Sequence, residues 1–229
     1  MLISYDEGHG CGNDRGASGF LNEEKVIREY APYAIAELKR YGHTLINCTP
    51  SGNMTLNQSL GYRSDHANAS GSKLHLCFHV DAFDNASANG VEIEVASDAG
   101  ARYGQSVLNE IVKLGYTNRG IKRPGLWMTG AKVHPVSILI EPFFCTNKAD
   151  CARYNAQKLG LAIAKGIIAI IGGTIKVTPV TKPVVVVKPV VKSGKTYQVV
   201  TGSYENEKNA DVQIKKLKDK GFDSFKQIK

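Results

Sequence analysis

The chain opens on a short apolar run and then alternates between two periods. Leu2 to Tyr5 reads as a strand. Glu23 to Arg40 carries Val26, Ile27, Tyr30, Ala34 and Leu38 at helical spacing and stops at Gly42. His43 to Cys48 reads as a second strand, and Leu60 to Ala69 as a helix ending near Gly71. In Leu74 to His79, Leu74, Leu76 and Phe78 share one face, while His75, Cys77 and His79 share the other. Gly90 to Ala96 reads as a fourth strand, Ala101 to Leu114 as a helix and Leu126 to Met128 as a short strand. Val136 to Ile140 reads as a fifth clear strand, and Lys148 to Ile171 covers one or two helices. Strands and helices in alternation predict an α/β fold over residues 1–172, with a twisted, mainly parallel sheet flanked by helices.

Past Gly172 the pattern breaks. Residues 173–194 repeat Lys-Pro-Val, at Lys182-Pro183-Val184 and again at Lys188-Pro189-Val190. Proline fixes φ and removes a backbone donor, so the stretch predicts an extended, semi-rigid linker. An edge strand at Val184 to Val187 is the rival reading. Residues 195–229 predict a small α+β unit. It has a strand at Thr196 to Val200, a helix at Glu205 to Lys220 with Ala210, Ile214 and Leu217 on one face, and a strand at Phe222 to Ile228. Below roughly 40 residues a core rarely stands alone. This unit therefore needs a partner, either a second copy in a homodimer or the surface of the first domain.

Composition changes the picture at one place. Hydrophobic residues make up 42% and charged residues 22%, as in an ordinary globular protein. The net charge of +8 is uneven. Residues 1–173 carry 17 Lys/Arg against 16 Asp/Glu, and residues 174–229 carry 12 against 5. The basic tail points to an anionic polymer or surface. Its few aromatics (Tyr197, Tyr204, Phe222, Phe225) and lack of a recognition motif argue against nucleic acid. Five cysteines, odd in number and without metal-knuckle spacing, fit a reducing compartment. The first residues lack a basic n-region and a long apolar h-region, so no signal peptide is expected. Leu159 to Ile171 contains Lys165 and is too short to span a bilayer, so no membrane insertion is expected.

The candidate chemistry gathers at strand and helix ends. His9 stands between Gly8 and Gly10 just past the first strand, Glu23 and Glu24 open a helix, and His79 ends a strand. Two His and one Glu, with a fourth position left for water, form a hydrolytic zinc arrangement, and Glu141 supplies the base such a water needs. Each residue also has a plainer reading. Gly10 to Arg15 resembles a phosphate loop only weakly, because Arg15 stands where a dinucleotide fingerprint needs glycine. Glu23 and Glu24 suit a helix N-terminus as charges, though successive helical positions diverge by about 100°, so one can face inward. His79 fits a hydrogen-bonded strand end, with Asp81 as its partner. Glu141, after Ile138-Leu139-Ile140, is either ion-paired to Arg63 or Arg123, or a base whose pKa is raised by apolar surroundings. His75 lies too deep to ligate well; His43, His66 and His134 read as structural or surface residues.

At these residues the chain resembles the type-3 N-acetylmuramoyl-L-alanine amidases, zinc enzymes that serve as bacterial autolysins and phage endolysins. The resemblance covers roughly residues 1–171 and rests on Gly8-His9, Leu21-Asn22-Glu23-Glu24-Lys25, Leu60 to Asn68, Phe78-His79-Val80-Asp81-Ala82 and Ile140 to Asn147, in that order. It implies zinc (Zn2+) on His9, Glu23 and His79, with the distance to Ala31 favouring Glu23 over Glu24. It also implies Glu141 as the catalytic residue, and Arg63 and Asp81 as substrate-binding residues. Asp81 stands where the family usually has Asn. The implied substrate is peptidoglycan, cut at the amide between N-acetylmuramic acid and L-Ala. A peptidase acting within the stem peptide and an inactive wall-binding protein are the alternatives. Residues 196–229 are similar to half of a sporulation-related (SPOR) repeat, a peptidoglycan-binding module that normally has two such units. The resemblance makes anionic wall polymer the partner of the basic tail. It also implies synthesis in the bacterial host cytoplasm and action on the wall after release. Release could be as an endolysin, to which residues 137–147 lean, or as a sporulation autolysin.

Overall fold

The computed structural model describes residues 1–175 and Ile214. The chain divides into two units, Met1–Val180 and Thr181–Lys229, and the candidate site lies in the first. Of the linker expected at 173–194, residues 176–194 lie outside the described residues, as does the strand–helix–strand unit expected at 195–229 apart from Ile214, which is helical.

Eleven elements follow one another among the described residues: β1 (Leu2–Glu7), α1 (Glu23–Arg40), β2 (Thr44–Asn47), α2 (Leu56–Ala69), β3 (Leu74–Phe78), β4 (Val91–Val95), α3 (Asp98–Val112), β5 (Asn118–Lys122), β6 (Val136–Glu141), α4 (Lys148–Arg153) and α5 (Ala156–Ile171). The six strands form one sheet in the order β2-β1-β3-β6-β4-β5. Every neighbouring pair is parallel except β4 with β6, which is antiparallel. The mainly parallel α/β sheet expected from the sequence is present.

Alternation sorts the two faces. Leu74, Leu76 and Phe78 of β3 join the large core, with Val26, Tyr30 and Leu38 of α1, Leu108 of α3 and Ile163 of α5. Each such side chain contributes about 1.5–3 kcal/mol on burial. Cys77 points the other way, into a smaller cluster with Ala67 of α2, Met128, Val133 and Leu139. All five cysteines are free thiols. Among the described residues no helix is long and apolar enough to cross a membrane.

The structure corrects three element expectations. The short strand at Leu126 to Met128 is a turn, whose Trp127 and Met128 cover the smaller cluster. The actual strand is β5, Asn118–Lys122, an edge strand paired only with β4. Its sequence, Asn-Arg-Gly-Ile-Lys, is too polar to show period-2 alternation, because only one edge is paired and much of it meets solvent. Two helices begin earlier than expected, each at a polar cap. Thr55 and Gln58 form a capping box that starts α2 at Leu56, and Ser97 starts α3 at Asp98.

Register places the chemistry. Glu7 pairs with Phe78, and Phe78 with Ile140, so the ends of β1, β3 and β6 lie in one row. His9, His79 and Glu141 all follow at that edge. Open α/β sheets hold ligands outside the carboxyl ends of their strands.

Candidate metal and hydrolytic site

Asn22 caps α1 by accepting from the Lys25 N–H, and the helix therefore begins with Glu23 at the strand-end edge. Glu23 is only 3% exposed. Its Oε2 accepts from the Ala17 N–H at 2.8 Å and its Oε1 from the Val80 N–H at 3.1 Å. Glu24 turns away, to Arg15 at 2.6 Å and the Gly16 N–H at 3.2 Å. Of the two adjacent glutamates, Glu23 is the one that faces inward.

His9 sits at φ 57°, a left-handed conformation that costs a non-glycine residue about 1–3 kcal/mol. Side chains hold it there. Its carbonyl accepts from Arg28 at 2.7 Å and from Arg63 at 3.0 Å. Its Nδ1 meets Asp14 Oδ1 at 2.8 Å. That bond leaves Nε2 for Glu23 Oε1, 3.2 Å away. His79 reaches the same Oε1 through Nδ1, also at 3.2 Å. The His79 main chain is fixed at both ends: its N–H donates to Ile140 at 3.1 Å, and its carbonyl accepts from the Tyr30 hydroxyl at 2.8 Å. The two imidazoles cross edge to face, with centroids 4.8 Å apart. Gly8 and Gly16 make room for this packing. A Cβ on Gly8 would lie 2.5 Å from the His79 ring, and one on Gly16 would lie 2.9 Å from Glu23 Oε2 and 3.1 Å from the His9 ring.

One donor atom from each of His9, Glu23 and His79 lies within 4.8 Å of the others. The 3.2 Å separations match the spacing of about 3.3 Å between two ligands that each sit ~2.0–2.1 Å from a tetrahedral zinc. Two imidazoles and a carboxylate are a zinc-type donor set, and Asp14, Val80 and Ala17 supply the outer hydrogen bonds that orient such ligands. The residues present fit the ion. Without a metal, the Glu23 carboxylate is hydrogen-bonded to both imidazoles instead. Burial pushes His9 down, but its bonds to Asp14 and Glu23 outweigh that and raise its pKa to about 9. Burial pushes Glu23 up, but the bonds from His79 and His9 hold it below the usual carboxylate range.

Glu141 ends β6 with one carboxyl oxygen, Oε2, buried and unbonded among the described residues. Burial, followed by the charges of Glu23, Asp81, Glu94 and Glu92, raises its pKa well above the ordinary value. The ion pair considered for it does not form. Arg63 pairs with Asp6 at 2.5 Å and Arg123 with Asp98 at 2.6 Å. A carboxyl in this setting holds its proton more tightly than an exposed one, and a positive charge beside it works the other way.

Two expectations need correction. Arg63 has a side chain only 2% exposed, and it bonds Asp6, the Glu7 carbonyl and the His9 carbonyl. It has no surface to offer a substrate and instead braces the turn that carries His9. Asp81 does not pair with the His79 ring, which bonds Glu23. The Asp81 carboxylate accepts from the Ala82 N–H at 2.8 Å, its main chain bonds Phe143 and Cys145, and its side chain lines a neighbouring cleft.

The other histidines are structural or surface residues. His75 is fully buried, between Asp6 Oδ2 at 2.9 Å and Ser4 Oγ at 2.8 Å. Asp6, His75 and Cys77 also lie close together, but Asp6 is already neutralised by Arg63. His43 joins the amino terminus to the Gly172 carbonyl, His66 stacks on Tyr62, and His134 is exposed. Sequence reasoning missed Asp14, Arg28 and Tyr30. For Asp14 a signal was available: a lone carboxylate five residues after His9 in a glycine-rich turn is the expected partner of a metal-ligating imidazole.

The sequence pattern of the family described as N-acetylmuramoyl-L-alanine amidase matches residues 3–172. No curated protein matches the chain. Solved structures do. The catalytic domain of the CD27L endolysin targeting Clostridia difficile is 25% identical, with a TM-score of 0.68, over 74% of this chain and 97% of that one. The N-acetylmuramoyl-L-alanine amidase AmiC2 of Nostoc punctiforme is 26% identical, with a TM-score of 0.65, over 75% and 97%. The N-acetylmuramoyl-L-alanine amidase from Clostridium difficile 630, at 22% identity and a TM-score of 0.67 over 75% and 96%, shares the fold.

Proposed function

The chain belongs to the N-acetylmuramoyl-L-alanine amidase family, and from that premise we propose that it works through a zinc ion held by His9, Glu23 and His79, with Glu141 as proton carrier. Its reaction is hydrolysis of the peptidoglycan amide that joins the lactyl group of N-acetylmuramic acid to L-Ala. The observation that carries the zinc assignment is the convergence of the three donor atoms within 4.8 Å, with both imidazole nitrogens 3.2 Å from the same Glu23 oxygen.

Bound zinc would acidify a water and polarise the scissile carbonyl. The remaining work belongs to the chain. Asp14 holds the His9 tautomer, and Arg28 and Arg63 hold its strained backbone. Glu141 takes the proton of the attacking water and returns it to the departing amine of L-Ala. Burial and the neighbouring carboxylates raise the Glu141 pKa, which makes it a stronger base for the proton of the water. The excess of basic residues at 174–229 supports one further element of the proposal, an electrostatic hold on anionic wall polymer.

Glu141→Ala tests the assignment. The variant should bind one zinc and lose lysis of purified walls. Full lysis would remove Glu141 from the mechanism, and loss of zinc would place it among the ligands. Free L-Ala amino termini with intact glycan identify the bond cut by the wild type; new amino termini within the stem would sink the amidase assignment.

A further inference from the structure

Beside the metal residues lies a cleft of about 440 Å3, lined by Asp81, Phe83, Asn85, Glu92, Arg119 and Phe144 among others. That size falls in the range of small-ligand sites. The lining residue Glu92 connects the cleft to Glu141. Across the antiparallel β4–β6 pair, Glu92 is in register with Glu141, so their Cβ atoms lie about 5 Å apart. Asp81 bridges to Phe144 and is two residues beyond His79.

The cleft is built around one cation. Arg119, on edge strand β5, donates Nε to Glu92 Oε2 at 2.6 Å, and its guanidinium lies over the Phe144 ring, 4.8 Å from the centroid. Its side chain is 36% exposed. Among the described residues its terminal nitrogens make no bond. A guanidinium fixed on two sides with free N–H groups is a preorganised carboxylate receptor. Phe83, 60% exposed, has its own N–H tied to Thr146 Oγ1 at 3.1 Å and forms an apolar wall.

Reaction polarity says which part of the substrate meets this cleft. The atom that receives the Glu141 proton is the amide nitrogen of L-Ala, so the peptide side of the scissile bond lies toward Glu141. The sugar side lies toward the carbonyl and the metal. Once its lactyl group is in the amide, the sugar side is uncharged, whereas the stem peptide beyond L-Ala carries free carboxylates. We propose that this cleft is the subsite for the stem peptide beyond L-Ala, and that Arg119 reads a stem carboxylate. The proposal rests on the amidase reading above.

The test uses the full chain with zinc supplied and two soluble substrates, N-acetylmuramoyl-L-Ala and the same compound extended by D-isoglutamate and a diamino acid. Wild type should cut the extended compound with kcat/KM higher by on the order of tenfold or more, the size of one charged hydrogen-bonding contact. Arg119→Ala should lose most of that ratio; because Glu92 stands opposite Glu141, the ratio of the two substrates is read rather than either rate alone, and a urea melt reports the fold. Arg119→Lys should keep part of the ratio. Amidating the stem carboxylate should cost wild type as much as Arg119→Ala does, and the two changes together should cost no more than either. An unchanged ratio in Arg119→Ala overturns the subsite, as does a wild type indifferent to stem length, and both leave the amidase standing. A wild type that cuts neither compound overturns the amidase reading and the subsite with it.

Discussion

Zinc binding at this site should be a proton exchange across the neutral to alkaline range. In the metal-free protein His9 is partly buried, which disfavours its charge. Its bonds to Asp14 at 2.8 Å and to Glu23 at 3.2 Å outweigh that and raise its pKa to about 9. At pH 7 nearly every molecule therefore carries a proton on His9, and an imidazolium cannot ligate. One proton must leave His9 for each ion bound. Two pH units below the pKa correspond to about 2.7 kcal/mol, or roughly 100-fold in affinity. Protonation stabilises the free form, so affinity falls as pH falls. The His9 contribution to log K should rise by about one per pH unit from pH 7 and level off above about 9. Asp14→Asn keeps an acceptor for Nδ1 but removes the charge. The plateau should then begin at lower pH, while poorer orientation lowers the plateau affinity by about 10–100-fold. Competition with a chromophoric chelator between pH 6.5 and 9.5 measures both quantities. A wild-type affinity that is flat from pH 7 to pH 9 would refute the reasoning, because His9 would then be neutral in the free protein.

Arg63→Leu should destabilise the protein by about 3–5 kcal/mol in urea melts, since it leaves Asp6 buried beside His75 without its cation and frees the His9 carbonyl. A loss below about 1 kcal/mol would mean that water reaches Asp6 and the brace carries little. Binding of the full chain to purified walls should weaken steeply between about 50 mM and 500 mM salt, as screening requires of an electrostatic tail. Salt-insensitive binding would argue for specific glycan contacts in its place.

The parts of this molecule legible in sequence are those where local chemistry and burial agree. α1 runs from Glu23 to Arg40 as its apolar spacing predicts, because Asn22 caps it and a continuous stripe faces the core. β3 and β6 were visible for the same reason: both are central strands buried along their length. β5 was not, since an edge strand has little apolar content to reveal. Within the site, His9, Glu23, His79 and Glu141 could be named because each stands at the end of a recognisable element. Arg63 could be noticed but not placed. A helical arginine reads as a surface residue until the fold sets it between Asp6, Asp14 and two strand-end carbonyls. Long-range polar pairing of that kind leaves no periodic trace.

The single antiparallel pairing in the sheet accounts for much of the site's electrostatics. A parallel neighbour would have met the end of β6 with its own C-terminal end. Because β4 runs the other way, its beginning is level with that end, and Glu92 stands opposite Glu141 while Glu94 stands opposite Leu139. Alternation then puts Glu92, Glu94 and Glu141 on one face, while Ile93 and Val95 fill the core on the other. Like charges directly opposite one another destabilise a sheet. The arrangement is relieved in two different ways. Arg119 neutralises Glu92 from the edge strand. At Glu141, burial raises the pKa together with Glu23, Asp81 and the two β4 glutamates, which favours the uncharged form. The property that fits Glu141 for proton transfer is thus set by the direction of a neighbouring strand as well as by its own burial. Strand direction also ties the base to the cleft, since the residue that crowds Glu141 is the one that anchors Arg119.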